Sequence, residues 1–333
     1  MPYAYSARRM IAALLVFIGM VAPLGVTAQA RPATRPLSLV TLWSPQAQFA
    51  GYYAAVAQGF YAARGLDVRI IDGGPGVAAA ELLRDGTADA AVLWLTTALR
   101  QADAGTPIVH LAQVGQRSSL LLVTKATSGI RSVADMAGRS VGLWGGDLAV
   151  APRALFAREG IRVREVPQSF TVNLFLRGGL DVASAMWYNE YHTIFASGVN
   201  VDELHVFPLR DQGIDVPEDG LYMLAATVAA DPASATALVE ATREGWAWAF
   251  ANPEAALDLV LERLRAAHLP ANRVHQRWML NAMRDVIAPE GSPTLLPVRP
   301  AAYDSVTTLL RAAGAIQRAP TYDAFLRGPD ARR

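Results

Sequence analysis

The chain has 333 residues, 52% hydrophobic and 18% charged, with a formal net charge of +1. That length predicts about two domains, and so apolar a composition excludes a disordered chain. The balance of 30 basic against 29 acidic residues leaves no footprint for DNA or RNA. Cysteine is absent, which removes disulfides, thiolate metal sites and cysteine nucleophiles. Lys125 is the only lysine, so Schiff-base chemistry would have to use it.

Residues 1–30 read as a secretory signal peptide. Arg8 and Arg9 form a positive start, an apolar run follows from Met10 to Ala22, and Ala28-Gln29-Ala30 offers a small-x-small cleavage site. The run meets Pro23 and Gly25 too soon to span a bilayer. Cleavage would remove two arginines and no acid, taking the net charge from +1 to −1. The expected product is exported, in the periplasm.

From Leu37 onward short apolar runs alternate with helical stretches. Residues 37–43 read as a buried strand, and Ser44-Pro45 as the cap and first turn of a helix. Strands are expected at 68–71, 88–94, 107–114 and 120–124, with helices at 77–84 and near Ala98. This βαβ rhythm predicts a mostly parallel sheet covered on both faces. It starts afresh after Lys125, with strands at 139–144, 163–167, 181–187 and 204–208 and helices between them. Residues 220–227 read as a strand returning to the first unit. Beyond Asp231 the chain is helical, with Asp231-Pro232 and Asn252-Pro253 each placing a cap before a proline. The predicted layout is α/β and two-lobed. Lobe I covers 36–122 and 224–333, lobe II (123–223) is inserted into it, and the crossings lie near Leu120–Lys125 and 220–227.

Four of the seven tryptophans, Trp43, Trp94, Trp144 and Trp187, close predicted strands. Ligands of open parallel sheets bind outside the carboxyl ends of the strands, so these residues are candidates for the walls of a cleft between lobes, stacking on a planar ligand. Core packing is the competing role, and it is the expected one for Trp246, Trp248 and Trp278 on helices. Polar candidates accompany them. Tyr188, Asn189 and Glu190 follow Trp187, with His192 close by. Gly145-Gly146-Asp147 follows Trp144, and Ser44, Gln46, Gln48 and Phe49 open the first helix. Thr96 and Thr97 follow Trp94. The Gly73-Gly74-Pro75-Gly76 turn lacks the GK[ST] ending of a phosphate loop. The five histidines show no metal-ligand spacing, and no G-x-S-x-G elbow occurs. No cofactor is expected.

Leu42-Trp43-Ser44-Pro45, then Phe49-Ala50-Gly51-Tyr52-Tyr53, Gly59-Phe60-Tyr61 and Gly65-Leu66-Asp67-Val68, resemble the substrate-binding proteins of ABC importers for nitrate, sulfonates and thiamine precursors. The runs 83–90 and 133–141 and Tyr188-Asn189-Glu190-Tyr191 extend the match over nearly the whole mature chain. The branch it is most similar to is the thiamine-pyrimidine (formylaminopyrimidine) binding and synthase-like one. The resemblance implies a type II periplasmic-binding-protein fold whose lobes close on a small molecule, most simply a thiamine pyrimidine precursor. A flavin, an organic sulfonate or nitrate are the alternatives. It also implies an inner-membrane ABC permease and its ATPase as partners of a monomeric receptor. The enzymes of that branch use a lysine-bound pyridoxal phosphate, a histidine and a cysteine cluster. Here Leu93 and Thr97 stand at the first two positions and the cluster has no counterpart, so the resemblance implies a receptor and not an enzyme.

Overall fold

The computed structural model describes residues 34–327, and the expected signal peptide at 1–30 lies outside them. Ten strands form two sheets, ordered β2-β1-β3-β10-β4 and β7-β6-β8-β5-β9. In the first sheet β1 is Arg35–Val40, β2 Leu66–Ile71, β3 Ala90–Trp94, β4 Ile108–Gln113 and β10 Asp219–Leu224. In the second β5 is Leu120–Lys125, β6 Ser140–Leu143, β7 Arg164–Pro167, β8 Val182–Met186 and β9 Leu204–Pro208. The central strands β3 and β8 are near-continuous apolar runs, buried along almost their whole length, as strands covered on both faces must be.

Between the strands run α1 (Ala50–Ala57), α2 (Ala79–Arg84), α3 (Leu95–Asp103), α4 (Val150–Arg158), α5 (Asn173–Leu176), α6 (Glu190–Ala196) and α7 (Ala225–Ala230). The C-terminal part adds α8 (Pro232–Ala251), α9 (Pro253–Ala266), α10 (Arg273–Ile287), α11 (Pro300–Ala312) and α12 (Tyr322–Arg327). Asp231 caps α8 by accepting from the Ser234 amide at 3.0 Å, and Asn272 caps α10 through the amides of Val274 and His275. Asn252 instead donates its side chain back to the Trp248 carbonyl, closing α8 and not opening α9. The helix expected at Ser44-Pro45 starts later, with a 3-10 turn at Ala47–Phe49, because Gln46 is fully extended. Helices α1 and α8 touch at two glycines. A Cβ on Gly245 would lie 2.1 Å from the Gly51 carbonyl oxygen, and one on Gly51 would lie 2.2 Å from the Trp246 ring.

The two lobes are present, each with one antiparallel strand, β10 in the first and β5 in the second. The reason is directional. The parallel strands of each sheet end at the cleft, so a strand entering from the other lobe starts there and must run away from it. The boundaries expected at 123 and 223 therefore fall inside β5 and β10. Leu120–Lys125 is a sheet strand and not a crossing, and the chain passes between sheets at 114–119 and 209–218. The two crossings are stitched together. Ser118 donates its amide to Asp215 at 2.7 Å, and Ser119 donates amide and hydroxyl to Glu218 at 2.6 and 2.7 Å. Among the described residues no helix is long and apolar enough to cross a membrane.

Candidate functional site

A cavity of about 380 Å³ lies where the strands of both sheets end, within the size range of small-molecule sites. From lobe I, Leu42 and Trp43 follow β1 and Trp94 ends β3. From lobe II, Trp144, Gly145 and Leu148 follow β6, Gln168 and Phe170 follow β7, and Met186 ends β8. Trp43 and Phe170 meet across the lobes with ring centroids 4.8 Å apart and tilted by 57°. The Trp144 indole N–H donates to the Ser169 carbonyl at 3.3 Å, which fixes that ring.

The loop carrying Trp43 is buttressed from beside it. The Thr41 hydroxyl donates to the Trp43 carbonyl at 3.0 Å and accepts from the Gly73 amide at 3.0 Å. A Cβ on Gly73 would lie 2.1 Å from the Thr41 carbonyl oxygen and 2.7 Å from the Trp43 nitrogen. The glycine-rich turn thus allows a close backbone approach that sets the aromatic wall.

Polar lining comes from Gln168, whose side-chain amide is paired with both backbone groups of Ser184, and from Gln46, Gln48, Tyr188, Asn189 and Glu190, which form the floor. Gln46 donates to Gln48 at 2.5 Å, and Gln48 donates to Asp219 at 2.9 Å. Glu190 accepts from the Met186 amide at 3.0 Å and from the Asn189 side chain at 2.9 Å. Burial pushes its carboxyl up to about 7. Beneath the floor sit Glu218 and Asp219, adjacent and fully buried. Burial pushes Asp219 up to about 7, and burial together with the Asp219 charge pushes Glu218 up to about 8. One oxygen of each has no hydrogen-bond partner. The Tyr188 hydroxyl is held far above its ordinary range by burial first and by the charges of Glu218, Asp219 and Glu190 next, so it stays a donor.

Of the residues expected at the site, Trp43, Gln48, Trp94, Trp144, Tyr188, Asn189 and Glu190 line the cavity. Four others do not. Phe49 is wholly buried in the lobe I core beside Tyr52. Thr96 lines a separate void of about 30 Å³ behind Trp94 and Met186, together with Glu218. Asp147 is taken up across the lobes, by the Thr97 hydroxyl at 2.5 Å and by an ion pair with Arg100. Trp187 turns away. Strand β8 ends at Met186, which faces the cavity; in the turn that follows, Tyr188 also lines it, while Trp187 stacks on Tyr191 at 5.1 Å and packs against Trp278 at 5.6 Å. Trp187→Ala is therefore expected to lower stability by about 2 kcal/mol, with ligand affinity per folded molecule changed less than threefold. Thermal unfolding beside a binding titration checks both.

Sequence reasoning did not reach Leu42, Leu148, Gln168, Phe170 and Met186, nor the acids Glu218 and Asp219. Phe170 could have been found by its place after a predicted strand, the signal that marked the tryptophans. The acids had a fainter mark, two carboxylates immediately before an apolar strand. Among the described residues no group of three or more His, Asp or Glu could hold a metal ion.

The profile described as NMT1/THI5 like matches residues 46–256. A riboflavin-binding protein, RibY, from Chloroflexus aurantiacus is 29% identical over 253 residues, covering 72% of this chain and 70% of that one. The periplasmic aliphatic sulphonate binding protein SsuA of Escherichia coli superposes with a TM-score of 0.66 at 15% identity, over 89% of this chain and 97% of that one. The alkanesulfonate-binding protein SsuA of Xanthomonas axonopodis pv. citri, bound to MOPS, gives 0.63 at 14% identity, over 86% and 96%. The fold is that of the periplasmic binding proteins, two α/β lobes around a cleft.

Proposed function

Because the chain belongs to the NMT1/THI5-like family, we propose that it is the solute receptor of an ABC importer, and that its cleft takes a planar nitrogen heterocycle of flavin type. The observation that carries this reading is the convergence of Trp43, Trp94 and Trp144, from three strand ends, on one cavity whose polar side chains lie on its floor, apart from Gln168, whose amide is engaged by the Ser184 backbone. Such walls stack on an aromatic face. The floor presents amides, a phenol and a carboxyl to the ring edge, where a flavin carries adjacent C=O and N–H groups. The riboflavin-binding relative supports the same ligand class.

A sulfonate or nitrate fits poorly. No Lys, Arg or His lines the cavity, and Glu190 does; an anion placed there would have no counter-charge. A thiamine pyrimidine precursor is the second reading, favoured by Glu190. A carboxyl poised near neutrality pairs with the ring nitrogen and amino group of an aminopyrimidine, donating to one and accepting from the other. The receptor reading needs no nucleophile. Leu93 is buried in the core, and Lys125 lies at the far end of β5, bonded to the Leu176 carbonyl at 2.9 Å. On this reading residues 1–30 direct export, and the mature receptor delivers its ligand to an inner-membrane permease and its ATPase.

Isothermal titration with riboflavin, 4-amino-5-hydroxymethyl-2-methylpyrimidine and taurine tests the proposal. One heterocycle is expected to bind with a stoichiometry of about one and to be recovered unchanged. Binding of taurine with neither heterocycle bound would overturn it.

A further inference from the structure

The lobes are tied on one flank of the cleft by side chains that also touch the floor. Asn189 donates its amide N–H to Glu190 at 2.9 Å, which leaves its oxygen as the acceptor facing His275 Nε2, also at 2.9 Å. His275 Nε2 must then carry a hydrogen. The Nδ1 of a neutral His275 is bare, and it lies 2.9 Å from His192 Nδ1, so His192 Nδ1 carries a hydrogen and donates. One arrangement of hydrogens satisfies every contact. His275 comes from α10, packed with lobe I, whereas Asn189, Glu190 and His192 belong to lobe II. Beside this chain, the Trp278 indole N–H donates to the Trp187 carbonyl at 3.0 Å, and Trp278 covers His192 at 5.0 Å.

We propose that His275 is a positioning residue of the ligand site, which reaches from lobe I to orient Asn189 and, through it, the Glu190 carboxyl, so that lobe closure and ligand recognition share one chain of hydrogen bonds. This inference rests on Glu190 lying in the ligand site. The ligand it serves carries a donor–acceptor ring edge, because an oriented carboxyl reads such an edge and a freely rotating one does not. A proton added to His275 occupies Nδ1 and sets N–H against N–H across the lobes. A proton added to His192 at Nε2 leaves its bond to His275 intact.

Other charges near the pair are already engaged. On α10 itself Arg273 and Arg277 are held by Glu254 and Asp258 of α9, and on α6 the nearest acid is Glu190. Burial, and then the His192 charge, lower His275 from its ordinary value to about 4, while burial lowers His192. A histidine depressed in the closed form stabilises closure above its ordinary value near 6.5. That contribution is lost as the pH falls from there through about 4. The opposite flank is closed by Thr97, Arg100 and Asp147, which contain no histidine.

The experiment uses the mature chain with riboflavin and the aminopyrimidine as probes, beside a proton NMR titration of the histidine rings without ligand. In the wild type, affinity is expected to fall between pH 6.5 and 5 by roughly tenfold per unit at most. His275→Gln keeps the donor to Asn189 but cannot be protonated, so its affinity at pH 7.5 should stay within about threefold of wild type and the acid fall should vanish. His275→Ala should bind roughly 3- to 10-fold more weakly at pH 7.5. In the ligand-free titration the His275 signal, identified by its loss in the variants, should move well below the ordinary range. If neither probe binds, the ligand reading fails, but the ring titration and the acid-dependent radius of the free wild type against His275→Gln still decide the tie. A His275 that titrates near 6.5 in the folded protein, or a His275→Gln protein with the wild-type acid profile, would overturn the proposal.

Discussion

At pH 8 the Glu218→Gln protein is expected to unfold several degrees above wild type. Glu218 and Asp219 sit at the second crossing without solvent, and their carboxyls are pushed well up by burial. Between the ordinary carboxylate range and those raised values the unfolded chain is ionised while the folded protein keeps its protons. The folded state then binds more protons, so stability is full below the ordinary range and falls as pH rises through about 7 to 8. His110 and His275, both lowered to about 4, act in the other direction, but only below their ordinary 6.5. From pH 6.5 to 8 the acids act alone. Glu218→Gln retains an acceptor for the Ser119 amide and hydroxyl and removes the ionisation, which gains roughly 2–4 kcal/mol at pH 8 and little at pH 4.5. Thermal melts at both values check it. An equal shift at both would show that packing, and not ionisation, had changed.

Trp43→Ala combined with Trp94→Ala is expected to abolish measurable binding of the heterocycle that the titrations identify. Loss of one stacking face costs about 1–3 kcal/mol. The two rings come from different strand ends, so their losses should add to about 2–6 kcal/mol. Both rings are only partly buried, so each single variant should stay folded. With riboflavin as probe, quenching of flavin fluorescence gives the affinity directly. Single variants that bind as tightly as wild type would place the ligand elsewhere in the cleft.

Much of the architecture is local, and was therefore legible in the chain. Strand and helix order follows from apolar runs of two periodicities, separated by turn residues and by capped prolines such as Asp231-Pro232. Strand-closing tryptophans mark the cleft because parallel strands end on a common edge, a consequence of topology that needs no coordinates. The lobe boundaries were not legible to the residue. An apolar run such as Leu120–Lys125 looks the same whether it crosses between lobes or lies in a sheet, and only pairing with β8 and β9 decides.

Side-chain direction was decided by tertiary structure alone. Trp187 stands where its sequence neighbours predict a wall residue, yet it falls in the turn just past the end of β8, which places it against Tyr191 and Trp278. Asp147 follows Trp144 as an apparent ligand-facing acid, but Thr97 and Arg100 from the other lobe claim both of its oxygens. Glu218 carries only the faint pattern of two carboxylates before an apolar strand, and His275 carries none. One acquires its character from burial at the crossing, and the other from Asn189 and His192, 86 and 83 residues away in the chain. Local pattern reports what a residue can do. Which neighbour answers it depends on contacts between segments distant in sequence, and those exist only once the two lobes are folded and closed.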